Sequence, residues 1–116
     1  MILVDTSVWV DHFRRRNARL SQLLEDGEVN IHPMVLGELA CGDLQRRAQT
    51  LRLLATLPGI PQVSDEVVLR AIELRRWWGQ GIGWIDAHLL CAALISRCPL
   101  WTLDRRLSQL AEQVLE

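Results

Sequence analysis

Apolar and polar positions follow two different periods along this chain. Short unbroken apolar runs, such as the one over residues 2–4, are typical of strands covered on both faces in a parallel sheet. Longer blocks repeat apolar residues every three or four positions, as amphipathic helices do. The pattern predicts strands at 2–4, 29–31, 60–63 and 100–103, and helices at 8–16, 18–26, 33–42, 44–57, 64–78, 84–95 and 107–115. Strands that alternate with helices indicate an α/β fold with a parallel sheet.

The length of the chain limits how this pattern can be divided. A chain of 116 residues suits one hydrophobic core, and no repeat, linker or low-complexity tract interrupts it. We therefore expect a single domain spanning residues 1–116. Gly79, Gly81 and Gly83 predict a flexible connection ahead of the most apolar helix.

Two acidic residues follow predicted strands directly. Asp5 ends the apolar run at 2–4, and Asp104 ends the run at 100–103. In open α/β sheets, ligands bind in the crevice outside the carboxyl ends of the strands. Both carboxylates are therefore expected at the same edge of the sheet, where they are placed for chemistry.

Two further acids lie inside predicted helices with apolar residues one turn away. Glu38 is expected to point along an apolar stripe, and Asp86 along the apolar face that carries Leu89 and Leu90. Acidic side chains are almost never buried without a partner, and neither residue has an arginine one helical turn away. The four site acids, Asp5, Glu38, Asp86 and Asp104, thus require some form of compensation.

Purely structural roles are an alternative for each acid. Asp5 and Asp104 each precede a helix and could serve as N-caps, although neither has Glu or Gln three residues later to complete a capping box. Asp86 could be a first-turn acid favoured by the helix dipole. Glu38, in mid-helix, is the hardest of the four to explain structurally.

As a group, the four site acids favour a hard divalent cation. Mg²⁺ and Mn²⁺ prefer oxygen ligands, whereas a zinc site would show closely spaced cysteine and histidine. Two carboxylates about 4 Å apart repel by roughly 4 kcal/mol at an effective dielectric constant of 20, and a bound cation relieves that repulsion. Such an ion can activate water and stabilise charge on a phosphoryl group, so phosphodiester hydrolysis is the natural reaction.

Hydroxyl and imidazole side chains near these acids are assigned supporting roles. Thr6, Ser7 and Thr102 are candidates to orient the carboxylates or a bound water, with helix or turn capping as the alternative. The three histidines are predicted to be structural or on the surface: His12, His32 and His88.

Charge and composition narrow the function further. The formal net charge is −1, and all 13 basic residues are arginines, so the absence of lysine excludes Schiff-base chemistry. Two arginine clusters next to acids are candidate contacts for the phosphates of a substrate: Arg14, Arg15 and Arg16, and Arg105 and Arg106. A solvated surface is the alternative for any one of them.

Cysteine usage and hydropathy indicate a compartment. Three cysteines without metal-type spacing fit a reducing cytosol, and Cys41 and Cys91 are expected to be small buried residues on apolar helix faces. No signal peptide is expected, because Asp5 interrupts the early apolar run. No membrane span is expected either, because the apolar stretch around residues 89–95 is far short of the roughly 20 residues that a span requires. We therefore expect a cytoplasmic protein.

Four motifs in order along the chain resemble those of the PIN-domain ribonucleases, and in particular the VapC-type toxins of bacterial toxin–antitoxin pairs. The motifs are Leu3-Val4-Asp5-Thr6-Ser7, Leu36-Gly37-Glu38-Leu39, Gly83-Trp84-Ile85-Asp86-Ala87 and Trp101-Thr102-Leu103-Asp104. Each motif alone is weak, but four in register are specific.

The resemblance implies a three-layer α/β/α PIN-like domain with a short, mostly parallel central sheet. It also implies that the four site acids surround Mg²⁺ or Mn²⁺ and that the protein cuts RNA endonucleolytically. A homodimer and an antitoxin that occupies the acidic groove are further implications. In the family the fourth acid, here Asp104, is the most variable contributor.

Two other functions remain open at this stage. The first is a catalytically inert PIN-like module that only binds RNA or a protein. The second is a phosphate-handling receiver or phosphatase-like domain, which also begins with an aspartate after a first strand. The second relies on a lysine that this chain lacks.

Overall fold

A short parallel sheet forms the centre of the computed structural model, which describes residues 1–115. Its strands are β1 (Ile2–Val4), β2 (Val29–Asn30) and β3 (Leu100–Trp101), in the order β2-β1-β3. Ile2 pairs with Val29 on one side of β1, and Val4 pairs with Trp101 on the other. All three strands are parallel, so their carboxyl ends meet at one edge, as the apolar runs predicted. The last residue of the predicted domain, Glu116, lies outside the described residues.

Seven helices surround the sheet within the described residues. They are α1 (Thr6–Arg15), α2 (Ala18–Glu25), α3 (Pro33–Cys41), α4 (Arg47–Ala55), α5 (Asp65–Arg75), α6 (Trp84–Ser96) and α7 (Arg105–Val114). One hydrophobic core joins β1 and β2 with α1 to α4 and part of α6. A second core joins α5, α6 and α7. This arrangement is the expected three-layer α/β/α fold.

The predicted strand at 60–63 is wrong. Within the described residues, none of residues 60–63 joins the sheet. An isolated parallel bridge pairs Ile31 with Gly59, just before this segment, next to a hydrogen bond of 3.0 Å from Ile60 N to Ile31 O. Pro58 and Pro61 flank the bridge, and proline has no N–H to donate to a ladder. Ile60 is apolar because it is buried in the first core.

Helix ends differ from the predicted ends where arginines adopt the left-handed conformation. Arg46, with φ of 49°, precedes the first residue of α4, and Arg76, with φ of 57°, ends α5 before the predicted limit at residue 78. The spacing of apolar residues does not reveal this local change in the backbone, and for this reason the sequence pattern extends the predicted helix over residues 76–78. Trp77 is instead a buried loop residue of the second core.

Two expectations about side chains and membranes can be compared with the structure. Cys91 is buried as predicted, whereas Cys41 is exposed, because it is the last residue of α3 and lies beyond the face that Val35 and Leu39 bury. Within residues 1–115, no helix has the length and apolarity needed to cross a bilayer.

The histidines have structural contacts. His32 is fully buried, and its Nδ1 accepts a hydrogen bond of 3.0 Å from Met34 N at the start of α3. Its ring packs against that of His88, whose centroid is 6.3 Å away. His88 Nε2 lies 3.0 Å from Asp65 Oδ1 but lacks the alignment of a hydrogen bond. His12 Nδ1 accepts from Asn17 N at the turn between α1 and α2.

The burial of His32 predicts a specific loss of stability in acid. Burial, assisted by the charge of His88, lowers the pKa of His32 from 6.5 to about 4. In the unfolded chain His32 therefore becomes protonated below about pH 6.5, whereas in the folded protein it becomes protonated only near pH 4. The free energy of unfolding thus falls as the pH is lowered from about 6.5 to about 4. Lowering the pH from 7 to 5 should reduce the free energy of unfolding by about 2 kcal/mol through His32.

Urea unfolding of the wild type and of His32→Asn, at pH 7 and pH 5, checks this expectation. Asparagine keeps an acceptor at the helix N-cap but does not titrate. The variant should be less stable than the wild type at pH 7, and the difference should shrink by about 2 kcal/mol at pH 5. A constant difference at both pH values would show that His32 has no role in acid sensitivity.

Candidate active site

The carboxyl edge of the sheet positions the first acid. Asp5 follows β1 directly, and its backbone N donates to Trp101 O of β3 across 2.9 Å. The side chain is only 6% exposed. Asp5 occupies the N-cap position of α1, yet its carboxylate makes no capping hydrogen bond. The capping alternative therefore does not explain this residue.

Two hydroxyl groups hold one oxygen of Asp5. Thr102 Oγ1 donates to Asp5 Oδ2 across 2.6 Å, and Ser7 Oγ donates to the same oxygen across 2.8 Å. The hydroxyls in turn accept backbone N–H groups, with Leu103 N donating to Ser7 and Asp104 N donating to Thr102. This network ties β1 to the segment after β3.

Thr6 contacts a different acid from the one that its position in the sequence suggested. Its Oγ1 donates to Glu38 Oε1 across 2.6 Å, which joins the start of α1 to α3. Glu38 itself is exposed, so the predicted apolar surroundings are wrong. Val35 and Leu39 take the buried face of α3, and Glu38 lies on the adjoining face. Helical spacing gives the neighbours of a residue but not how far the core extends around the helix.

Asp86 lies in the first turn of α6 and is half-buried. Its Oδ2 accepts a hydrogen bond of 3.0 Å from Gly83 N. Burial raises the pKa of Asp86, and the negative charges of Asp5, Asp104 and Glu38 raise it further, against the opposing effect of the Gly83 hydrogen bond. The other three site acids are thus near enough to repel the charge of Asp86.

Asp104 is an exposed N-cap. Its Oδ1 accepts a hydrogen bond of 3.0 Å from Leu107 N, in the first turn of α7. The structural alternative therefore holds for this residue, and a ligand role does not conflict with it, because the second carboxylate oxygen is not used by the cap. Gly83 was not among the predicted site residues. Its position three residues before an acid in a helix's first turn is the sequence signal that could have identified it.

The four site acids share one pattern of hydrogen bonding. Within residues 1–115, each has one oxygen that accepts a hydrogen bond from the protein and a second oxygen that accepts none. None of them forms an ion pair with any basic group of these residues. As the side chains stand, no three carboxylate, thiol or imidazole groups in this part of the chain converge to hold one ion together. Within these residues, hydrogen bonds therefore fix each of the four carboxylates, and no basic side chain neutralises them.

The predicted arginine clusters lie at different distances from these acids. Arg105 and Arg106 form the first turn of α7, next to Asp104, and both are exposed. Arg14, Arg15 and Arg16 lie at the far end of α1, about 14 Å along the helix from its start. Arg15 is also paired with Asp11, with its Nε 2.6 Å from Oδ1.

Comparison with known proteins agrees with the observed fold. Residues 2–113 match the PIN domain family. The chain is 50% identical over 108 residues to Ribonuclease VapC32 of Mycobacterium tuberculosis, in two strains, which covers 92% of this chain and 87% of the relative. It is 30% identical over 109 residues to Ribonuclease VapC1 of Methanocaldococcus jannaschii, covering 90% of this chain and 76% of the relative. The chain therefore belongs to the PIN-domain family and, within it, to the VapC-type ribonucleases.

Proposed function

We propose that this protein is a metal-dependent endoribonuclease that acts as the toxin of a bacterial toxin–antitoxin pair and hydrolyses RNA phosphodiester bonds at the four site acids. The observation that carries this proposal is the shared hydrogen-bonding pattern of those acids. A protein group fixes one oxygen of each carboxylate, and the other oxygen remains available to a ligand. Four such groups, none of them ion-paired within residues 1–115, are suited to bind a cation.

The donor set fits Mg²⁺ or Mn²⁺. All available donors are carboxylate oxygens, which hard divalent ions prefer. Mg²⁺ keeps several of its waters when bound, so all four carboxylates need not converge on one point. When bound, such an ion supplies an activated water and stabilises charge on the phosphoryl group.

The protein's own groups have distinct roles in this mechanism. Ser7 and Thr102 hold Asp5 in one orientation, and Thr6 does the same for Glu38. Asp86 has a raised pKa, so a bound cation would favour its charged form. Arg105 and Arg106 lie next to Asp104, where they could bind phosphates of the substrate near the scissile bond.

Partners and location follow from the same proposal. The substrate is RNA, and Arg14, Arg15 and Arg16 could contact more distant phosphates. The regulator is a cognate antitoxin protein that covers the acidic edge, and the active form is a homodimer of single-domain chains over residues 1–116. Three free thiols suit a cytoplasmic protein.

Cleavage of an RNA pool by the purified protein tests the proposal. We expect cleavage within the RNA chains with Mg²⁺ or Mn²⁺ and none after chelation, with recovery when the ion is added back. Mapping the new ends by sequencing distinguishes internal cuts from trimming. RNA binding without cutting, in the presence of any divalent ion, would instead identify an inert RNA-binding module.

The hydroxyl of Thr102 should matter for activity more than for shape. Thr102→Val keeps the branched side chain but removes both the donor to Asp5 and the acceptor for Asp104 N. We expect cleavage to fall by roughly 10–100-fold, as for other groups that orient metal ligands. The unpaired N–H should also cost about 1–3 kcal/mol of stability.

Thr102→Ser serves as the matched control, because it retains the hydroxyl. Initial cleavage rates and thermal melting of both variants provide the measurement. If valine and serine reduce cleavage equally, the hydroxyl is not what positions Asp5.

A further inference from the structure

A cavity of about 330 Å³ lies away from the four site acids, between the end of α5 and the second half of α7. Arg75, Arg76, Gln80 and Gln113 supply its polar groups, with Trp77 and Leu110 beside them. The polar residues of this lining are two arginines and two glutamines, all of them exposed, and no acidic residue among residues 1–115 lines the cavity. This combination of donors suits an oxyanion.

The arginines of this cavity are not neutralised by the described part of the chain. Within residues 1–115, neither Arg75 nor Arg76 forms an ion pair. Burial raises the pKa of the Cys91 thiol on α6, and the charge of Arg75 opposes that rise. Arg75 is thus near α6, and its side chain, like that of Arg76, is exposed to solvent.

A structural explanation exists for these arginines and has to be tested. Arg75 is in the last turn of α5 and Arg76 is its C-cap, where cations interact favourably with the helix dipole. Arg52 in the last turn of α4 and Arg97 at the C-cap of α6 have the same positions on their helices, and neither lines the cavity. They provide a matched pair of control sites.

Arg106, at the start of α7, lies on the same side of that helix as two residues that line the cavity. Arg106, Leu110 and Gln113 are spaced i, i+4 and i+7, so they share one face of that helix. Gly81, next to Gln80, has φ of +82°, and a Cβ there would lie 3.2 Å from Cγ of Arg106. Arg106 therefore lies between Asp104 and the cavity, which is about 13 Å from Asp104 along α7.

We propose that this cavity is a phosphate subsite that binds the backbone of the substrate RNA a few nucleotides from the scissile bond. The inference rests on the proposed ribonuclease function. RNA that approaches four carboxylates needs cationic contacts elsewhere, and the cavity supplies two of them beyond Arg105 and Arg106. The subsite therefore favours RNA substrates that are long enough to reach from the four site acids to the cavity.

Binding of unstructured RNA oligomers by the Asp86→Asn protein tests the subsite without cleavage. Fluorescence anisotropy is measured with a 12-nucleotide and a 4-nucleotide RNA, in the Asp86→Asn background alone and with Arg75→Gln/Arg76→Gln or Arg52→Gln/Arg97→Gln added. The cavity variant should bind the 12-mer roughly 10-fold more weakly, the lower end of a charge-assisted hydrogen bond. Its dependence on log salt should lose about 0.7 per phosphate. The control pair should lose much less of either.

Three further results decide the inference. A loss that is much smaller for the 4-mer than for the 12-mer supports a contact remote from the scissile bond, whereas equal losses for both lengths overturn it. Equal effects of the cavity and control pairs also overturn it, and they would leave the helix dipole as the explanation. Titration with inorganic phosphate, followed by the NMR signal of the Trp77 indole, shows whether the cavity binds free phosphate. If this signal responds to phosphate only when Arg75 and Arg76 are present, and the Arg75→Gln/Arg76→Gln change causes no loss of 12-mer affinity, the cavity is a site for free anions and the RNA assignment is overturned.

Failure of this subsite can be distinguished from failure of the ribonuclease function. Cleavage by the wild type reports on the four site acids, and the comparison of oligomer lengths reports on the cavity. Melting temperatures of the two arginine pairs, which change the same charge at equivalent helix positions, show whether either variant is misfolded.

Discussion

Asp86→Asn is expected to abolish RNA cleavage and to stabilise the metal-free protein at the same time. The carboxylate is half-buried and faces the charges of three other acids, so its pKa is raised. Above that pKa, ionised Asp86 lowers the free energy of unfolding, and a neutral amide removes this cost. The lost ligand should reduce cleavage by more than the roughly 10–100-fold that loss of a supporting contact costs.

Cleavage rates and melting curves recorded with chelator at neutral pH measure both effects. Asp5→Asn should lose cleavage to a similar extent. Asp26→Asn, at the exposed end of α2 and away from the site, is the control for removing one carboxylate, and its cleavage rate should match the wild type. If Asp86→Asn still cuts RNA, the proposed site is wrong. If it cuts none but melts earlier, the carboxylate has a structural role that repulsion does not describe.

Mn²⁺ is expected to raise the melting temperature substantially. An ion that binds only the folded state at 100 times its Kd stabilises it by about 2.7 kcal/mol. For a domain of this size that corresponds to a shift of roughly 10 °C or more. The shift should weaken in mild acid, because protons compete with the ion for Asp86, whose pKa is raised.

Differential scanning fluorimetry across a Mn²⁺ series, with Mg²⁺ and chelator in parallel, provides the measurement. The wild type and Asp26→Asn should show the full shift, and Asp5→Asn and Asp86→Asn should show little. A shift of equal size in all four proteins would indicate that Mn²⁺ binds elsewhere on the molecule.

Local pattern carried much of the fold. The apolar run at residues 2–4 and its counterpart near Leu100 identified parallel strands, and parallel strands necessarily bring Asp5 and the segment before Asp104 to one edge. The helices were found because burial of one face imposes a regular spacing. The predicted strand at 60–63 failed because an apolar residue such as Ile60 is needed in a core whether or not its backbone joins a sheet.

In the candidate site, the sequence identified the types of residue involved but not which side chains contact each other. The sequence alone determined that Glu38 and Asp86 lack an arginine one helical turn away and that hydroxyl residues adjoin Asp5. Only the tertiary structure decided that Thr6 contacts Glu38, 32 positions away, and that Thr102 contacts Asp5. It also decided that Arg75 and Gln113, from different helices, line one cavity. The physical reason is range: periodicity and capping act within a few residues, whereas these contacts depend on how whole helices pack across a sheet.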